Sequence, residues 1–234
     1  MLDGVIETNN LSVREFKELA MQYAAGLSGC DIPDLYRVTD GKAVGTYVEA
    51  GFKEFLITEK GAEVVGVGNA AKGIDFPNLN VDLKVTSCRQ PQSSCPFRNA
   101  EQKIYGLGFH LLVMVYCKKD DDKKKTSRLD FEHVIFIEKE RTSDYVLTNA
   151  IRNIIDDPLS SREAAIADID GLLQDKQLPL EEIARFELAQ RIYDDKPELG
   201  CLTISNALQW RLQYARAIDF ASRQVLHGIE ALYG

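Results

Sequence analysis

Three residues in the first half of the chain have the types and spacing for phosphoryl chemistry. Asp82 and Lys84 stand two apart in a run where Leu79, Val81, Leu83 and Val85 alternate with Asn80, Asp82, Lys84 and Thr86. Period-two alternation predicts a strand, and residues two apart on a strand project from the same face. Asp75 precedes Asp82 by seven residues, and a short hairpin turn between them would fold it back beside Asp82. Two carboxylates and an ammonium would then share one small volume. Such a set suits Mg²⁺, which takes oxygen ligands, usually one or two carboxylates with water and phosphate completing the shell. A bound ion polarises a phosphate and helps generate hydroxide near neutral pH. A lysine there can orient the attacking water or stabilise charge in the transition state. The backbone carbonyl of Leu83 is a further metal-ligand candidate. The bland alternative is an ion-pair cluster on an exposed sheet face. Against it, charges on a strand at the core are rare unless paired or functional.

These residues need elements to hold them. Residues 12–26 read as an amphipathic helix, with Ser12 and Glu15 as a capping box and Gly26 as a stop. Residues 31–40 read as a loop. A second helix is expected over 44–57, where Val44, Val48, Phe52, Phe55 and Leu56 share one face and Glu49 and Glu54 lie beside that stripe. A strand over 63–67 follows, then the strand of Asp82, then a polar loop over 87–99 holding Pro91 and Pro96. Residues 98–107 read as helical. The apolar run 110–118 reads as a strand buried on both faces. The charged run 120–125 reads as a solvated turn, and 131–138 as another strand. Beyond about residue 142 every signal is helical, over 144–155, 162–174, 180–193 and 205–226, with Pro158, Pro179 and Pro197 between. The fold class is therefore α/β, a mixed central sheet flanked by helices with a C-terminal helical subdomain. The domains are expected at 1–142 and 143–234.

Asp75, six residues, then Asp82-Leu83-Lys84 resembles the D-x(n)-(D/E)-x-K signature of the PD-(D/E)xK nucleases. Ile74 stands where the proline of that signature usually falls. The superfamily core runs helix, three strands, helix, strand, and residues 44–118 can be read in that order. The resemblance implies a restriction-endonuclease-like core and an acid from the preceding helix at the metal site, with Glu49 first choice and Glu54 second. Within the superfamily the chain looks most like a type II restriction endonuclease, on the strength of residues 81–98. That implies cleavage of double-stranded DNA with Mg²⁺, leaving a 5′-phosphate and a 3′-hydroxyl. A palindromic target would call for a homodimer, and the host would need a cognate methyltransferase, not held as a stable subunit. The Arg/Gln/Ser-rich loop supplies Arg89, Gln90, Gln92, Ser93, Ser94 and Arg98 as residues that could read bases or grip phosphates. Two other readings stand beside this one. A repair or recombination nuclease would share the core, although Tyr105 follows Gln102 one residue too closely for the Q-x-x-x-Y motif of that branch. A non-catalytic DNA-binding regulator would use the C-terminal helices, 180–193 and 205–226, as a helix-turn-helix. Those helices otherwise pack on the sheet or form a dimer contact.

Composition excludes little. A net charge of −8 does not advertise a nucleic-acid binder, but local surface charge matters more than the sum. Cys30, Cys88, Cys95, Cys117 and Cys201 show no paired C-x-x-C spacing, which points to free thiols in a reducing cytoplasm rather than a zinc site. His110, His133 and His227 lack metal-ligand spacing, and neither a serine-hydrolase elbow nor a dinucleotide fingerprint is present. The polar, acidic first residues and the lack of an apolar run of membrane-spanning length lead us to expect neither a signal peptide nor a membrane partner.

Overall fold

The computed structural model describes residues 11–61, 73–95, 97–205 and 211–233. The strand expected over 63–67 lies outside the described residues. Helix α1 (Val13–Leu27) begins as its sequence dictates: the Ser12 hydroxyl accepts from the Glu15 N–H, and the Glu15 carboxylate accepts from the Ser12 N–H. It runs through Gly26 and is capped by Ser28, with Gly29 in the left-handed region just beyond. Helix α2 (Gly41–Lys60) starts at Asp40, whose carboxylate accepts from the Lys42 N–H at 3.0 Å. Its stripe Val44, Val48, Phe52 and Leu56 is fully buried. Gly51 lets α1 approach, since a Cβ there would sit 2.5 Å from the Tyr23 hydroxyl oxygen. That hydroxyl instead donates to the Val48 carbonyl at 3.1 Å.

Phe76 and Val81 then form an antiparallel bridge, each N–H donating to the other's carbonyl at 2.9 and 3.1 Å. Asn80 takes a positive φ of 55° in the turn, a conformation that asparagine tolerates better than most residues. Strand β1 (Val81–Ser87) follows, then β2 (Gln92–Ser94) and a single helical turn, α3 (Gln102–Tyr105), where a longer helix over 98–107 is expected. Strands β3 (His110–Asp121) and β4 (Thr126–Ile137) are joined by the charged turn. That turn is tied down: Asp122 accepts from Tyr36 and Arg37, and Lys124 pairs with Asp31. Next come α4 (Tyr145–Ile155), α5 (Arg162–Asp175) and α6 (Glu182–Asp194), close to their expected spans.

The remainder departs from the all-helical expectation. It contains β5 (Thr203–Ile204), β6 (Arg211–Gln213), α7 (Ala215–Arg223) and β7 (Ile229–Tyr233), with 206–210 outside the described residues. The helix expected over 205–226 is realised only as α7. Ile204 and Leu212 are eight apart, a helical spacing, but they face each other across the β5–β6 pair. A hairpin and a helix satisfy that spacing equally, and the exposed-buried-exposed order of Arg211, Leu212 and Gln213 is the strand's. The helix-turn-helix reading loses its second helix here.

Two sheets result, one ordered β1-β3-β4-β7 and a smaller one ordered β2-β6-β5. The chain is mixed α/β with a mixed central sheet flanked by helices, compatible with a restriction-endonuclease-like fold. It forms two compact units that interleave along the sequence instead of parting at residue 142. One holds the residues up to Gln90, Leu111–Phe136 and the chain from Ala231; the other holds Pro91–His110 and Ile137–Glu230. The first has its core in Phe16, Phe52, Leu56, Phe76, Leu112 and Met114. The second has its core in Ile104, Leu147, Ile151, Ile169, Leu188 and Ile192. Cys88 and Cys117 form a disulfide with Cα atoms 5.4 Å apart, tying the end of β1 to β3, while Cys30, Cys95 and Cys201 are free. The expectation of five free thiols fails for this pair, because strand pairing and not sequence spacing makes them neighbours. Among the described residues no helix is long and apolar enough to cross a membrane.

Candidate active site

Asp82 and Lys84 project from β1, the edge strand of the larger sheet. Asp82 is almost fully buried, and its Oδ2 takes the Lys84 ammonium at 2.7 Å. Asp75 is delivered by the turn. Its neighbour Phe76 is 3% exposed, wedged edge-on against Phe16 and Phe52 with ring centroids 4.9 and 5.8 Å away. That aromatic cluster, drawn from α1 and α2, fixes where Asp75 emerges. The Asp75 Oδ2 accepts from the Leu83 N–H at 2.9 Å, on the outer edge of β1. In a strand, one residue's N–H and C=O point to the same edge. The Leu83 carbonyl therefore shares the edge that Asp75 occupies, as a metal ligand there would.

Glu49 comes from α2 and contacts Asp75. Between them stands Lys53, one helical turn beyond Glu49, with its ammonium 2.5 Å from Glu49 Oε1 and 3.6 Å from Asp75 Oδ1. The structure thus brings together Glu49, Asp75, Asp82, Leu83 and Lys84, and adds Lys53, which sequence reasoning missed. The signal available was Glu49-x-x-x-Lys53, an i, i+4 pair that in isolation reads as an ordinary helix-surface salt bridge. Glu54, the second choice for the helix acid, accepts from the Thr58 hydroxyl through its backbone carbonyl, and no hydrogen bond or ion pair among the described residues joins its side chain to this cluster.

Electrostatics sort the carboxylates. Burial raises Asp82 to about 6, against the pull of the Lys84 charge and with the help of its hydrogen bond to Asp75. Burial also acts to raise Asp75. The hydrogen bonds it accepts from Asp82 and from the Leu83 N–H, with the Lys53 charge, outweigh that and hold it below the ordinary carboxylate value. Near pH 6 the Asp82 carboxyl is then a donor to an ionised Asp75, two carboxyls sharing a proton. Burial disfavours the Lys53 ammonium, but Glu49 and Asp75 outweigh it and raise its pKa. The donor set is all hard oxygen and fits a divalent cation such as Mg²⁺. The three carboxylates are not drawn to one point. Among the described residues the only trio of thiol or carboxylate groups with ligand atoms mutually within 4.8 Å is Cys88, Cys117 and Glu132, whose sulfurs are spent on the disulfide. Glu49 and Asp82 instead flank Asp75.

The residues expected to read DNA fall in both compact units. Arg89 and Gln90 are exposed beyond β1. Gln92, Ser93 and Ser94 form β2, paired with Gln213, Leu212 and Arg211 respectively. Ser93 turns to the inner face, where its hydroxyl meets that of the buried Tyr214 at 2.5 Å. Arg98 is exposed, and its N–H donates to Gln102 Oε1 at 2.6 Å.

A sheet edge presenting a D-x(n)-D-x-K cluster beside a helix glutamate is compatible with a restriction-endonuclease-like site. A family model described as type II restriction enzyme NspV matches residues 10–231. The curated type II restriction enzyme NspV of Nostoc sp. (strain ATCC 29411 / PCC 7524) is 46% identical over 223 residues, covering 95% of this chain and 97% of that protein. No solved structure matches the chain. The chain belongs to the NspV type II restriction enzyme family, and so to the site-specific endonucleases.

Proposed function

We propose that the protein cuts double-stranded DNA at specific sites in a Mg²⁺-dependent reaction centred on Asp75, Asp82 and Lys84. The observation that carries this is the turn that folds Asp75 onto the edge of β1, its Oδ2 2.9 Å from the Leu83 N–H, beside the Asp82–Lys84 pair. Asp75, Asp82 and the Leu83 carbonyl would hold the cation, with Glu49 at its margin. When bound, the ion supplies positive charge to the scissile phosphate and lowers the pKa of water. Lys84, beside Asp82 on β1, would donate to the attacking water or to a phosphate oxygen. In-line attack leaves a 5′-phosphate and a 3′-hydroxyl.

The small sheet supports a refinement of base reading. Cross-strand partners share a face, so Gln92, Ser94, Arg211 and Gln213 look outward together while Ser93 looks in. These side-chain types suit the major groove, where arginine pairs with guanine O6 and N7 and glutamine with adenine. In this reading Gln92, Ser94, Arg211 and Gln213 touch base edges, and Arg89, Gln90 and Arg98 grip phosphates. The enzyme works as a two-fold dimer on a palindromic site, in the cytoplasm of a host whose own DNA a methyltransferase protects.

Digestion of a long phage DNA by purified protein tests the function. Discrete fragments in Mg²⁺ that disappear in EDTA are expected. A smear would replace the site-specific reading with that of a repair nuclease, and intact DNA across several substrates would overturn the reading.

A further inference from the structure

The Lys53 ammonium stands beside a carboxylate oxygen that a metal ion could use, 3.6 Å from Asp75 Oδ1. Asp75 Oδ2 is taken by the Leu83 N–H and Asp82 Oδ2 by Lys84. Asp75 Oδ1 is the other oxygen of the carboxylate that links the group, and the Lys53 ammonium lies 3.6 Å from it. The same ammonium sits 2.5 Å from Glu49 Oε1. An i, i+4 pair serving only α2 would need Glu49 alone. The second contact, from helix to catalytic turn, places Lys53 inside the group, its charge 5.8 Å from the ring centroid of Phe76. Its side chain is 27% exposed, so it can leave toward solvent.

We infer that Lys53 is a resident counter-charge, holding Glu49 and Asp75 in the metal-free protein and displaced from them when a divalent cation binds. This rests on the reading of Asp75, Asp82 and Glu49 as metal ligands. An ammonium near a doubly charged ion opposes binding, so removing it tightens the site, by about tenfold for charges several ångströms apart in a solvated cleft.

Calorimetric titration of Mn²⁺ into the DNA-free protein tests this without reference to cleavage. Wild type, Lys53→Met, Lys53→Arg and Asp82→Asn are compared, each checked for folding by circular dichroism. Lys53→Met keeps the packing stem and is expected to bind about tenfold more tightly, with a larger Mn²⁺-induced rise in thermal midpoint. Lys53→Arg keeps the charge and is expected to stay within about twofold of wild type. Asp82→Asn is expected to bind weakly. Failure of wild type to bind Mn²⁺, or undiminished binding by Asp82→Asn, would remove the metal reading itself. If both controls behave and Lys53→Met binds no more tightly than wild type, or Lys53→Arg tightens equally, the counter-charge inference alone is overturned.

Discussion

Asp82 and Asp75 illustrate how one pair of like residues is driven apart by surroundings. Burial lifts Asp82 to about 6, while accepted hydrogen bonds and Lys53 hold Asp75 low. The consequence for stability has a definite sign. The unfolded chain ionises Asp82 near the ordinary aspartate value of about 4, so between pH 4 and 6 the folded state binds more protons. Asp82 therefore adds stability to the metal-free protein as pH falls from 7 to 5, and Asp75 loses its contribution only at lower pH. As the proposed metal ligand, Asp82 would have to be ionised to bind. Apparent Mg²⁺ affinity, read from the cation dependence of cleavage, is expected to be about tenfold weaker at pH 5 than at pH 7.5. An affinity flat across that range would show that Asp82 is not a ligand. Phe76 makes a second prediction at this scale. Phe76→Ala empties a site packed by Phe16 and Phe52 and should cost about 3–5 kcal/mol in denaturant unfolding, releasing Asp75 from its place.

At the scale of elements, what was legible in the sequence was local. The capping box of α1, the apolar stripe of α2 and the turn between Asp75 and Asp82 are all specified within a few residues, and each is found. Features made by distant residues were not legible. β5 and β6 are two and three residues long, too short for a period to distinguish them from the helix that Ile204 and Leu212 also fit. Lys53 is paired with Asp75 only once the turn has folded. Cys88 meets Cys117 only because β1 lies beside β3. That bridge closes a separation of 29 residues, for which loop entropy gives about 3–4 kcal/mol. Reductant should lower the thermal midpoint of the wild type and leave that of Cys88→Ser unchanged; equal response would mean that the bridge is absent in solution. The β2–β6 strand pair carries its own test. Arg211→Ala should cost about 1–3 kcal/mol of discrimination at one base position, seen as cleavage of sites altered there, whereas Arg89→Ala should weaken binding at every sequence alike.

For the whole molecule, the net charge of −8 sets the terms of DNA binding. Contacts to phosphate must come from local basic groups against an overall repulsion, so binding should be steeply salt-dependent. Two active sites are needed to cut both strands of a palindrome in one encounter. Sedimentation is expected to give a complex of two 26.2 kDa chains plus one cognate duplex; a single chain per duplex would contradict the two-fold assembly. Family membership fixes the class of activity, and the geometry around β1 supports the proposal that Asp75, Asp82 and Lys84 carry it.

The most direct test of that claim is single-turnover cleavage of a mapped cognate duplex by wild type, Asp82→Asn and Lys84→Ala, with DNA binding measured in parallel. A loss of about 10³-fold or more in cleavage rate is expected for each variant, with binding retained. Rates within tenfold of wild type in folded, DNA-bound variants would contradict it and place the chemistry elsewhere in the chain.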